Sequence, residues 1–282
     1  MTFKEIKKKS KEQIKPYSTL AAKALLFNFV IAACFLIPYL MANQLHVSWL
    51  QGTPAIIIDI VYFVFSGFVE PVFTIAFVTF IVQIAKQENS TEGKTLTLDT
   101  YFKNFHLAGK GIGNYWWTYL WEFLWGLLAV IPVIILLAVI LIVNQNNIPQ
   151  DSSRLVASII PFVMLLCIFP LMIYKVLSYC MNTYAIADIN ETGVIEAMNI
   201  SKAITKGHRG ELLGFYLSFF GWYVLEIITL GIAALWVVPY IRMSVYNFYK
   251  ELSANYKPET PESINAPENE DPYSLANSIP KK

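Results

Sequence analysis

Five ionisable residues stand inside long apolar stretches: Asp59, Glu70, Glu122, Lys175 and Glu226. A charge in such a place is costly, and it is kept for pairing, for relaying an ion or proton, or for holding a ligand. Glu70 is the sharpest candidate. It lies near the middle of its stretch, and the following Pro71 removes a backbone donor and favours a kink. Asp59 lies near one end of the same stretch, within reach of water. Glu122 falls among Trp116, Trp117, Trp121 and Trp125, which read as an interfacial aromatic belt rather than a ligand cage. Lys175 is a partner for one of the acids, since a Glu–Lys pair inside a bundle lowers the cost of both charges. Together the five suit a polar pathway for an ion, a proton or an amphipathic ligand. Taken singly, each also suits structural glue between helices or snorkelling to the interface.

Other chemistry has little support in the residues. His46, His106 and His208 are isolated, with no second His or Cys at ligand spacing. There is no HExxH, no Cys-x-x-Cys and no nucleophile elbow, so no metal and no cofactor are expected and the chain is read as non-enzymatic. Cys34, Cys167 and Cys180 all lie in apolar segments and read as packing residues, not a disulfide framework. Gly109, Gly111 and Gly113 beside Lys110 match no phosphate-binding pattern and read as a flexible loop. Gly210 and Gly214 form a GxxxG, whose ordinary meaning is close helix packing. A net charge of +1 gives a nucleic-acid partner no electrostatic support.

The elements that must position these residues follow from composition. Hydrophobic residues make up 56% of the chain and charged residues only 15%, against roughly a quarter charged in soluble domains. About 20 apolar helical residues cross a bilayer, and six stretches meet or approach that length. They run about Leu20–Met41, Ala55–Ala85, Tyr115–Val143 with Pro132, Leu155–Ile186 with Pro161 and Pro170, Leu212–Leu230, and Ile232–Tyr249 with Pro239 and Arg242. The first is far longer than a signal-peptide core and reads as an uncleaved anchor. The last two have only Gly231 between them, so they are either separate spans or a broken, re-entrant pair.

Lys and Arg sort the loops into alternating sides. The arm 1–19 carries six lysines, the loop Asn43–Pro54 none, Lys86–Asn114 four, Asn144–Arg154 only Arg154, and Ala187–Glu211 carries Lys202, Lys206 and Arg209. Six spans with both ends in the cytoplasm of a cell-membrane protein fit this order. The arm, residues 1–19, reads as a solvated basic tail, with a thin apolar stripe of Phe3, Ile6 and Ile14 as the ground for a surface helix. Residues 20–250 form the membrane domain. Residues 251–282, with six acids against three lysines, read as a disordered tail. Thr192–Lys206 reads as an amphipathic cytoplasmic helix between the fourth and fifth spans, capped by Thr192. Val194, Ala197, Met198, Ser201 and Thr205 share one face of it, which suits either a partner-docking helix or a connector packed under the bundle. The fold class expected is all-α, a polytopic transmembrane bundle.

The C-terminal half resembles a bacterial family of integral membrane proteins known as domain of unknown function 975. The resemblance runs through YCMNTYAIAD, ending in Asp188, EAMNIS with Glu196 and Ser201, and KGHRGELL with Gly207 and His208. It continues through LSFFGW with Gly221 and Trp222, LGIAALWVVPY with Gly231, Trp236, Pro239 and Tyr240, and NFYKEL. It covers about residues 170–252, and FKEIKKKSKEQIK and LTLDTYFKNF match more loosely. The resemblance implies a multi-span helical protein and brings no activity or catalytic residue. Glu70 and Glu226 fall outside its pattern. The leading expectation is a membrane protein that transports or accommodates an amphipathic small molecule or peptide, with the lipid bilayer as its surroundings. A scaffold or regulatory subunit docking a cytoplasmic partner, and a membrane-embedded lipid enzyme, are the alternatives.

Overall fold

The computed structural model describes residues 2–45, 47, 50–87, 96–145, 170–189, 192–254 and 256, and every regular element among them is helical. The tail beyond Tyr256, the loop 146–154, the first part of the fourth stretch with Pro161 and Cys167, and His46 lie outside the described residues.

The arm forms α1 (Phe3–Ile14), closed at its start by a capping box in which Thr2 and Glu5 satisfy each other's backbone N–H groups. Contrary to the solvated-tail reading, α1 packs against α12 (Ala234–Ser253). Its apolar stripe looked thin because Ser10 and Gln13 complete it. Both are buried, and the Asn247 side-chain amide donates to Ser10 Oγ at 2.8 Å and to Gln13 Oε1 at 2.6 Å. Lys7 donates to the Ser218 carbonyl at 2.9 Å and stands 4.1 Å above the Phe219 ring. A polar seam thus joins α1 to α12 where an apolar one was sought.

Two long rods follow. The first is α2 (Ser18–Asn43). The second is α3 (Thr53–Val64), a π-helical turn over Phe65–Val69, and α4 (Glu70–Gln87), running as one 35-residue helix. Pro71 clashes with the carbonyl four residues back, that of Gly67, and the widened π turn there absorbs both the clash and the missing donor. α4 is apolar on most of its circumference and sits at the centre, against α2, α6, α8 and α12. A short α5 (Leu98–Lys103) and a 3-10 turn lead into α6 (Ala108–Gln145). Gly109, Gly111 and Gly113 lie within α6, not in a loop. A Cβ on Gly111 would come within 2.6 Å of Ile75 Cγ2 and 2.9 Å of the Pro71 carbonyl, so this glycine sets how close α6 lies to α4.

The fourth stretch breaks at Cys180–Met181 into α7 (170–179) and α8 (Asn182–Asp188). Ser201, fully buried on α9 (Val194–Thr205), accepts the freed Met181 N–H at 3.2 Å and donates to the Ser178 carbonyl at 2.8 Å. The helical reading of this segment is right and Ala197, Met198, Ser201 and Thr205 face inward, but the N-cap is Gly193 and Thr192 makes no capping bond. Next come α10 (Arg209–Leu217) and α11 (Phe220–Ile228), which meet at a joint over Ser218–Phe219. Gly231 at φ +86° and Leu230 at φ +50° then turn the chain back into α12. Phe215 stacks on Phe248 at 4.8 Å and Trp222 meets Tyr240 at 5.9 Å, which fixes an antiparallel hairpin of separate helices. The GxxxG does not pack helices here: nothing lies near a Cβ on Gly210, and Gly214 faces only the Phe3 ring.

Packing is uneven along the bundle. The end that holds α1 and the C-terminal part of α12, the arm end, contains the fully buried Ile6, Phe80, Tyr101, Tyr184, Phe215 and Tyr249. The opposite end is nearly coreless: α3 and α11 bury no residue, and Ile228 keeps 72% of its surface. Such an apolar exterior suits lipid. Three described stretches are long and apolar enough to cross a membrane, Phe3–Asn43, Thr53–Gln87 and Arg209–Ile228.

Candidate functional site

The π turn carries Glu70 and Pro71 to the side of α4 that faces α6, and Gly67 admits the Trp116 ring there, 3.0 Å from where a Cβ would stand. Above this contact opens a cavity of about 360 Å³, whose polar wall includes Glu70, Thr74, Asn114, Thr118, Glu122 and Arg242. The wall is braced by side-chain amides. Asn182 donates to Thr118 Oγ1 at 2.8 Å and Asn114 donates to Thr183 Oγ1 at 3.1 Å, tying α6 to α8. The Asn114 Oδ1 is buried and has no partner among the described residues.

A second cavity, about 180 Å³, opens on the other side of α4, between α2 and α12, and Glu70, Thr74 and Arg242 line it too. These three side chains are therefore the partition between the two spaces. Thr74 and Glu70 count as exposed although they sit on the central helix, because both cavities reach them. Arg242 is likewise deep in the protein yet open to both cavities. The hydroxyls of Tyr184, Tyr216 and Tyr223 surround its guanidinium. Tyr184 acts on it most strongly, and because the buried Tyr184 hydroxyl has no well-directed hydrogen bond among the described residues, that influence is electrostatic. No ion pair joins Arg242, Glu70 or Glu122 to a described residue.

Two of the five sequence candidates, Glu70 and Glu122, thus share a site. The others stand apart. Asp59 accepts a 2.6 Å hydrogen bond from Asn43, and Glu226 rides on α11 with a buried Oε1 that has no partner among the described residues. Lys175 pairs with no carboxylate among the described residues; its ammonium lies 3.6 Å from the centre of the Trp125 ring. Arg242 was missed as a site residue, being named only as a member of the last apolar stretch. Its signal was an Arg one turn beyond Pro239 within an apolar run, the same standing as Glu70 beside Pro71.

The family-pattern residues are divided between the helices of the arm end and the α11–α12 hairpin. Asp188 joins three helices: it lies 3.0 Å from Lys86, 3.3 Å from Lys250 and accepts from the Tyr246 hydroxyl at 2.8 Å. Burial pushes its pKa up, but hydrogen bonds from Lys86 and Tyr246 and the charges of Lys86 and Lys250 outweigh that and hold it below the usual carboxylate value. Gly207 at φ +87° turns the chain into α10, where His208 Nδ1 meets Glu211 at 3.2 Å. Trp222, Tyr240 and Gly231 form the hairpin, Pro239 is buried in α12, and Glu196 and Gly221 are exposed. Among the described residues no group of three or more His, Cys, Asp or Glu could hold a metal.

No curated protein and no solved structure matches the chain. A family model does, over residues 1–256, which takes in the N-terminal half as well as the span read from the C-terminal motifs. The chain belongs to the family described as Protein of unknown function (DUF975).

Proposed function

We propose that the chain is a non-enzymatic membrane protein of about six spans, both ends cytoplasmic, that accommodates or transports an amphipathic small molecule or peptide in the cavity at Glu70, Thr74 and Arg242. One observation carries this reading: a cation and two carboxylates sit at helix-bundle depth, open to one shared cavity, with no ion pair to neutralise them among the described residues. Unpaired charges are expensive in such a place, so water or a polar-headed occupant must solvate them. Tyr115, Tyr119 and Val176 supply the apolar part of the same lining.

The docking-subunit alternative loses part of its ground, because the inner face of α9 is already covered by α8 and α6. The lipid-enzyme alternative has no observation of its own.

The test is mild-detergent purification of the full chain followed by mass spectrometry of what stays bound. The reading predicts an amphipathic species that is lost in Arg242→Gln and Glu70→Gln and kept in Asp59→Asn. Arg242→Lys, which keeps the charge, separates lost binding from lost folding. Equal retention by all four variants contradicts the reading.

A further inference from the structure

A third, separate pocket lies where α7, α9 and the start of α10 meet. It measures about 440 Å³, and its lining includes Lys175, Lys202, Lys206 and Arg209 with Tyr174 and Asn199. Four cations and no carboxylate line one concavity. None of the four forms an ion pair with a described residue.

Aromatic rings hold three of the four cations in place. Arg209 stacks with its guanidinium carbon 3.9 Å from the Tyr174 ring centre, and Lys175 sits at 3.6 Å from Trp125. Lys202 lies 5.4 Å from Trp121 and 5.5 Å from Tyr179. Ring faces attract cations without neutralising them, so the positive field stays directed into the pocket. The Arg209 Nε is buried with no hydrogen-bond partner among the described residues, an unmet donor at the pocket's edge. Burial, and then the charge of Lys175, lower the pKa of Lys202, as expected for like charges crowded without a counter-ion. Trp121 and Trp125, which brace the pocket, are among the tryptophans read from the sequence as an interfacial belt, a reading that suits a site at headgroup level.

We infer that this pocket binds a phosphate-type oxyanion, carried by a lipid headgroup or by a soluble phosphoester. Arg supplies a fork for two oxygens and the lysines supply point charges. The inference is independent of the Glu70–Arg242 cavity, with which the pocket shares only Tyr179.

The test is native mass spectrometry of the full chain released from nanodiscs containing equal phosphatidylglycerol and phosphatidylcholine, with and without inorganic pyrophosphate. The expected result is preferential retention of phosphatidylglycerol, weakened about five-fold for each cation removed in Lys202→Gln and Lys206→Gln. Lys202→Arg and Lys206→Arg retain it, and an unchanged melting temperature shows that the Gln variants fold. Retention unaffected by pyrophosphate assigns the site to a lipid headgroup; displacement by pyrophosphate assigns it to a soluble phosphoester. Equal retention of the two lipids with no pyrophosphate bound, or full retention by the folded Gln variants, overturns the inference.

Discussion

The two ends of this bundle are held together by different physics. At the arm end, α1, α4, α8, α10 and α12 interlock around fully buried aromatic residues, and polar clips at Asn247, Ser201 and Asp188 join elements far apart in sequence. At the far end, α3 and α11 bury nothing and present Ile, Val and Phe outward. Water drives the first kind of order, because burying apolar area is favourable only when the alternative is water. An apolar surrounding such as lipid, which the exposed Ile, Val and Phe there suit, would remove that drive at the far end. The charged cavities lie between the two regimes, where packing is already loose enough to leave space and still rigid enough to hold Arg242.

That contrast can be broken most severely at the arm-end core. Phe215 is fully buried and touches Phe3, Phe219 and Phe248. Phe215→Ala should cost about 3–5 kcal/mol, whereas Phe63→Ala at the far end, 58% exposed, should cost under about 0.5 kcal/mol. Melting temperatures in detergent measure both, and equal losses would erase the difference between the ends.

Gly111→Ala should cost about 1–3 kcal/mol by pushing α6 off the Pro71 carbonyl. Gly126→Ala on the same helix meets nothing within 4 Å and should be neutral. A similar loss of about 1–3 kcal/mol is expected for Ser201→Ala, which strands the Met181 N–H and the Ser178 carbonyl. Hydrogen exchange should then open α8 before α4.

The smallest effect is a pH dependence. Asp188 has a folded pKa below its ordinary 3.8, so its stabilisation is fully present above that ordinary value. It is lost as pH falls through the lower folded one. Melting temperature should therefore fall below about pH 4, and Asp188→Asn should flatten that fall. An unchanged slope would remove Asp188 from the ionic link.

Much of this was legible beforehand. Helical class, the long apolar stretches and the helix at α9 follow from hydropathy and period. What was illegible came from tertiary pairing. Ser10 and Gln13 look like solvent-facing residues until Asn247 is set opposite them, and Gly111 looks like loop chemistry until Pro71 lies against it. Arg242 did not stand out because its cavity is built by other helices. A Glu–Lys pair was expected for Lys175, but an indole face satisfied it without a counter-charge.

Two neighbouring positions on the central helix test the cavity most directly. Thr74 lines both cavities, while Ala76, two residues on, is 0% exposed. In a full chain with its cysteines replaced by alanine, Thr74→Cys should react rapidly with a charged, membrane-impermeant thiosulfonate, and Ala76→Cys should not. If Thr74→Cys stays as inert as Ala76→Cys, no watery space reaches Glu70 and Arg242, and the proposed site does not exist.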